Sequence, residues 1–219
     1  GRAERLSFER IGFPMKLHWS PRSPYVRKVM IAAHEMGFGN RLDCIRTVVS
    51  PFAPAEELFQ DNPLNKLPTL VLDDGTAIYD SRVICEYLDG LHDGAKLFPA
   101  AGPERLTALR NQALGDGLLD VLMMRLIERL KPAEQRSLQI VSSNERKTVA
   151  TLDRLESDSA LLAARPYDIG HVAIGTALGY LDFRFPDDNW RKDRPNLAAW
   201  HAEFNARPAV LASPVRDDS

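Results

Sequence analysis

The sequence predicts two domains in series, an α/β domain built on a small mixed sheet and then an all-α helical bundle. Three observations carry this. Short strand candidates alternate with helical periodicity over residues 15–92; a Pro/Gly-bearing stretch, DGAKLFPAAGP at 93–103, interrupts the pattern; beyond it strand signals nearly vanish and apolar residues recur at intervals of three and four. A chain of 219 residues can hold one large core or two small ones, so length alone leaves the domain count open.

MKLHW, residues 15–19, reads as a strand with Leu17 and Trp19 on one face. From Pro24 onward Val26, Val29, Met30, Ala33 and Met36 fall at helical spacing, with Gly37 and Gly39 as the stop. RLDCIRTVV at 41–49 is a second strand, which makes a βαβ unit with a right-handed crossover. The Pro-rich segment SPFAPAEELFQDNPLNKLP holds one or two helical turns at 55–60. TLVL at 69–72, the turn DDG and TAIY at 76–79 form an antiparallel pair, and a helix over 81–91 is expected to bury Val83, Ile84, Tyr87 and Leu88. This order, βαβ followed by ββα, is the thioredoxin-like layout, and residues 15–92 are assigned to it.

In the second domain, 104–219, a long helix carrying Leu106, Leu109, Ala113, Leu114, Gly117, Leu118, Val121 and Leu122 runs to about Pro132. Helices over about 133–157, 168–185 and 195–205 follow, the first of them through Leu138, Val141, Val149, Leu152 and Leu155. The opening residues, GRAERLSFERIGFP at 1–14, carry charges throughout and lack the apolar stretch of a secretory signal, so they are read as a tag or an extension.

Composition narrows the functional classes. Lys and Arg number 28 against 30 Asp and Glu, a formal net charge of −2, so no global positive field gathers nucleic acid or anionic lipid. No stretch approaches the roughly 18 apolar residues of a membrane span. The expected location is the cytoplasm, and the two cysteines, Cys44 and Cys85, are expected as reduced, buried thiols. His and Cys show no metal-ligand spacing, so no metal is expected.

The chemistry-bearing stretch is SPRSPYVRKV at 20–29. Ser23 directly before Pro24 is how a helix is commonly capped. It also sets a hydroxyl beside the positive end of a helix, where an anion is stabilised. Asp80-Ser81, at a strand-to-helix junction, has the same double reading.

Four stretches together resemble the cytosolic glutathione transferase family, of a bacterial serine type with a tau/omega-like opening motif: SPRSPYVRKV; NPLNKLPTLVLDDGTAIYDSRVICEYLD at 62–89; LRNQALGDGLLD at 109–120; and DIGHVAIGTALGYLDFRF at 168–185. The resemblance spans nearly everything from Met15 onward. It implies a transferase that conjugates the glutathione thiolate to a small hydrophobic electrophile, a detoxification activity, with glutathione as co-substrate and no further cofactor. Ser23 is then the catalytic hydroxyl, with Ser20 three residues earlier as its competitor and Arg22 as a third contributor. Lys66 would meet the glycyl carboxylate, Leu67 would pair its backbone with the cysteinyl unit next to a cis Pro68, and Asp80 with Ser81 would hold the γ-glutamyl end. The electrophile would lie between the domains, with Tyr25, Met123 and Met124 among its walls. A homodimer is implied too.

Two other readings stay open: a non-catalytic binding protein that keeps the fold, and a glutathione-dependent isomerase. A thiol reductase is disfavoured, because a serine at position 23 cannot form a mixed disulfide. One departure from the family pattern stands at DIGH, where His171 occupies the position of a capping aspartate; it is expected in a core helix rather than in catalysis.

Overall fold

The structure, a computed structural model, describes residues 15–218; the expected tag or extension at 1–14 lies outside the described residues. The chain divides into two compact units, one running to Phe98 and rejoined by the C-terminal residues from Ala212, the other spanning Pro99–Leu211.

The first unit is a four-stranded mixed sheet in the order β2-β1-β3-β4, with β1 at Met15–Trp19, β2 at Leu42–Arg46, β3 at Thr69–Val71 and β4 at Ala77–Ile78. β1 and β2 run parallel in the register Met15 to Leu42 through Trp19 to Arg46, as the βαβ reading requires. β3 pairs antiparallel with β1, Leu17 facing Leu70, and β4 pairs antiparallel with β3. Helix α1, Pro24–Glu35, lies between β1 and β2 in sequence; Ser23 caps it, Pro24 opens it, and Gly37 follows at φ +80°, a conformation glycine adopts without steric cost. Helix α2, Ser81–Gly90, begins at the cap Asp80.

Two expectations about burial in this unit are corrected. Val83 is 51% exposed, because the inward stripe of α2 is Ser81, Ile84, Cys85 and Leu88, and Val83 sits off that line. Cys44 is exposed while Cys85 is buried: β2 is an edge strand, and only Leu42 of its five residues is buried. Residues 212–218, expected in the helical domain, group with the first unit instead. Arg27 Nε donates to the Ser213 carbonyl at 2.8 Å, and Arg22 and Arg46 pair with Asp218 at 3.2 and 2.6 Å.

The second unit is helical: α3 at Gly102–Leu130, α4 at Leu138–Ala164, α5 at Ile169–Arg184, α6 at Pro195–Asn205 and a short α7 at Pro208–Leu211. α5 is buried on nearly every side, and α3 packs on it so closely that a Cβ on Gly115 would lie 2.5 Å from the backbone of Ala173. The cap of α5 forms with histidine in place of aspartate: Asp168 Oδ1 accepts from the amides of Gly170 and His171, and the Asp168 amide donates to His171 Nδ1 at 3.1 Å.

The apolar stripes of α3 and α4 differ from the expected ones. The buried line of α3 runs through Ala108, Gln112, Gly115, Leu119, Leu122 and Leu126, so Leu106, about 200° around the helix from Ala108, is 71% exposed. In α4 the polar Asn144 and Thr148 hold the inner line with Leu152 and Leu155, while Leu138 and Val149 face outward. Thr148 can lie there because its hydroxyl donates to the Asn144 carbonyl at 2.8 Å, within its own helix.

Candidate functional site

The predicted residues of the first unit gather at two helix starts and one turn. Ser23 is half-buried, with extended backbone at φ −79° and ψ 119°, and its Oγ accepts the amide of Val26 at 3.3 Å. That bond uses a lone pair and leaves the hydroxyl proton as a donor. Its own amide donates to the Ser20 carbonyl at 3.2 Å, which closes the loop between β1 and α1. Ser20 differs in kind: it is 7% exposed, and its Oγ accepts from the Arg22 amide at 3.4 Å. Arg22 is turned to the C-terminal carboxylates of Asp217 and Asp218, at 3.7 and 3.2 Å.

The Leu67–Pro68 peptide bond is cis, as expected, and so is Tyr79–Asp80. The Leu67 side chain is buried in a cluster with Val26, Ala55 and Leu58. Through it the turn is packed against the first turn of α1, two residues beyond the Pro24 that follows Ser23. Lys66 is exposed, while its carbonyl is held inside the turn by Asn62 Nδ2 at 3.2 Å and Thr69 Oγ1 at 2.9 Å.

At the head of α2, Asp80 is exposed and accepts the Arg82 amide at 2.9 Å, while Ser81 is 2% exposed. A helix start of this kind presents partial positive charge to whatever anion approaches it.

Sequence reasoning missed the frame around these residues. Asn62 is 1% exposed; besides the Lys66 carbonyl it donates to Thr69 Oγ1 at 2.9 Å and accepts from the Leu64 amide at 2.9 Å. Asn65, at φ 53°, exchanges two bonds of 2.8 Å with the backbone of Ala55 and so ties the turn to the loop before it. The repeated Asn around Pro63 in DNPLNKLP was the available signal, since Asn is the side chain that both adopts left-handed backbone and bonds locally.

A second missed group reaches across β1. His18 Nε2 lies 2.7 Å from Asp61 Oδ2, His18 Nδ1 lies 2.9 Å from Thr47 Oγ1, and Lys16 Nζ reaches Asp61 Oδ2 at 3.0 Å. The hydrogen bond from His18, and after it Lys16, holds the Asp61 carboxyl below the usual carboxylate range against the opposing effect of its burial. This staple fixes the residue directly before Asn62. Among the described residues no group of three or more His, Cys, Asp and Glu side chains could hold a metal ion, and no helix is long and apolar enough to cross a membrane.

Comparison with known proteins agrees with this architecture. The family model described as the glutathione S-transferase N-terminal domain matches residues 22–91, and that of the C-terminal domain matches 139–203. The GST-like protein YibF of Escherichia coli K12 is 33% identical over 189 residues, 84% of this chain and 90% of that protein. A glutathione transferase family member from Pseudomonas fluorescens Pf-5, solved with bound glutathione, is 43% identical at a TM-score of 0.89, covering 93% of this chain and 100% of that one. A glutathione S-transferase from Methylobacillus flagellatus KT with glutathione bound is 31% identical at a TM-score of 0.85, covering 93% and 100% respectively.

Proposed function

The chain belongs to the glutathione S-transferase family, and from that premise we propose that it is a serine-type glutathione transferase, conjugating the sulfur of glutathione to a small hydrophobic electrophile. The observation that carries the reading is the state of Ser23: it caps α1 with a lone pair, remains half-buried rather than sealed, and keeps a proton to donate.

A free thiol has a pKa of about 8.5, and the thiolate is the nucleophile. A hydroxyl donor at the positive end of α1 stabilises the anion, and each unit of pKa it removes corresponds to about 1.4 kcal/mol of preference for the charged form. The thiol proton leaves to solvent; the sulfur lone pair then attacks the electrophilic carbon, a C–S bond forms, and the displaced group departs with its electron pair or an activated double bond takes up the charge and later a proton. Around this centre Leu67 offers its backbone next to Pro68, Lys66 its ammonium to the glycyl carboxylate, and Asp80 and Ser81 the start of α2 to the γ-glutamyl end. Ser23 is preferred to Ser20 because the Ser20 side chain is buried. The reading includes a cytoplasmic homodimer.

The test is the ultraviolet absorption band of the thiolate as pH is raised on the glutathione-loaded protein. A band well below the pH at which free glutathione ionises, lost in Ser23→Ala, supports activation at Ser23. Glutathione that binds without such a band supports a binding protein that keeps the fold, and sinks the transferase reading.

A further inference from the structure

Residues 20–23 turn the chain from β1 into α1. The Ser23 amide donates to the Ser20 carbonyl at 3.2 Å, and Pro21 holds the second position, where its fixed φ suits such a turn. The backbone of Ser23 is therefore only as well placed as that turn. The segment from Ala212 onward, which groups with the first unit, ties the turn down from outside. The Arg216 amide donates to the Pro21 carbonyl at 3.4 Å; Arg22 Nη1 lies 3.7 Å from Asp217 Oδ1, and Arg22 Nε lies 3.2 Å from Asp218 Oδ1. The bond from Arg27 Nε to the Ser213 carbonyl at 2.8 Å holds the same segment to α1, one helical turn beyond Ser23.

Asp218 is the joint of this arrangement. Its carboxylate oxygens are divided between two elements, Oδ1 toward Arg22 in the turn and Oδ2 toward Arg46 of β2 at 2.6 Å. Arg46 is itself anchored, since its Nη1 donates to the Thr47 carbonyl at 2.8 Å. The hydrogen bond from Arg46, and after it the charges of Arg46 and Arg22, hold the Asp218 carboxyl below the usual carboxylate range against some loss of solvation, so it is ionised at neutral pH. A single exposed ion pair contributes little, whereas charges joined in a network and fixed at one end to a strand restrict more than a pair does.

We propose that the segment from Ala212 is an ionic latch on this turn, and that Asp218 is a positioning residue for Ser23. Asp218 acts through Arg22 and Arg46 on the backbone that carries Ser23, and so on the direction in which the hydroxyl proton is offered. An oriented donor stabilises an anion more than one that must be ordered first, because the ordering entropy has already been lost. The consequence for catalysis rests on the reading of Ser23 as the hydroxyl at the sulfur; the latch itself can be measured without that reading.

Exchange of the Ser23 amide proton, followed by NMR on the full chain without ligand, reads the latch. In Asp218→Asn this amide should exchange at least about tenfold faster than in the native chain. Added NaCl at about 1 M, where the Debye length is about 3 Å, should speed exchange in the native chain and leave the variant unmoved. Asp218→Glu, which keeps the charge, should stay near native, and because Asp218 is exposed neither change threatens the fold. On the glutathione-loaded protein, the pH at which the thiolate band appears should rise in Asp218→Asn toward that of free glutathione. Affinity for S-methylglutathione, which has no thiol to ionise, should stay within about twofold of native. A native exchange rate at Ser23 in Asp218→Asn overturns the latch. Faster exchange with an unmoved thiolate band overturns the positioning role, leaving Asp218 to steady the turn alone. Should the native protein show no early band, the transferase reading fails, and the exchange rates decide the latch by themselves.

Discussion

The Oγ of Ser23 accepts the amide of Val26 at 3.3 Å, so the hydroxyl proposed at the sulfur is also the cap of α1. The two duties use different parts of one group, a lone pair for the cap and the proton for the thiolate. They can be separated by substitution. Ser23→Ala should lower stability by about 1 kcal/mol and kcat/KM by roughly 10- to 100-fold, the loss of a charge-assisted hydrogen bond. Ser23→Asp keeps an acceptor for the Val26 amide and should hold the denaturation midpoint near native, yet its negative charge beside the sulfur raises the thiol pKa and erases the early thiolate band. If Ser23→Asp turns over like the native protein, Ser23 is a cap and nothing more.

Asn62 positions the turn without reaching into it. Its side chain holds the Lys66 carbonyl, Thr69 Oγ1 and the Leu64 amide together in a buried place. Asn62→Ala should cost about 1–3 kcal/mol of stability. Because the displaced backbone is the one proposed to meet glutathione, KM for glutathione should rise while kcat at saturation stays near native. An unchanged KM alongside lost stability would assign Asn62 to folding alone.

Acid stability should depend on Asp61. Its carboxyl is held below the ordinary range, first by the hydrogen bond from His18 and then by Lys16. The sign follows from linkage: the stabilisation is fully present above the unfolded carboxylate pKa of about 3.9 and is lost as pH falls through the lower folded value. Asp61→Asn should therefore be less stable than the native chain at neutral pH, and the two urea midpoints should converge below about pH 4. Parallel midpoint curves down to the acid limit would show that the ionised carboxylate contributes nothing.

The two thiols should differ in access. Cys44 is exposed on the edge strand β2, and Cys85 is wholly buried in α2. A chromogenic disulfide reagent should modify one thiol per chain in native buffer and a second only after denaturant is added. Modification of both at equal rates in the native state would contradict the packing of α2 on the sheet.

Strand β1, helix α1 from Pro24 and helix α6 from Pro195 follow from local signals, an apolar period, a cap and a proline, while the cis turn at Leu67–Pro68 was implied by the family resemblance of a motif whose residues are contiguous. For the same reason the candidate site could be read as a set of contiguous pieces, Ser23-Pro24, Lys66-Leu67-Pro68 and Asp80-Ser81. What the chain alone determined is thus the identity and order of its elements and the residue types at their ends. Only the tertiary structure decided which neighbours those elements meet. Val83, Leu106 and Val149 are apolar and helical as read, yet they are exposed, because burial depends on which face a neighbouring element covers. Cys44 is exposed because β2 became the sheet edge. The bond between His18 and Asp61 spans 43 positions, and the pairing of Arg46 with Asp218 spans 172, so no window of sequence contains both partners. Periodicity reports a preference for an interior, and long-range contacts, made only when the chain closes on itself, choose which interior it is.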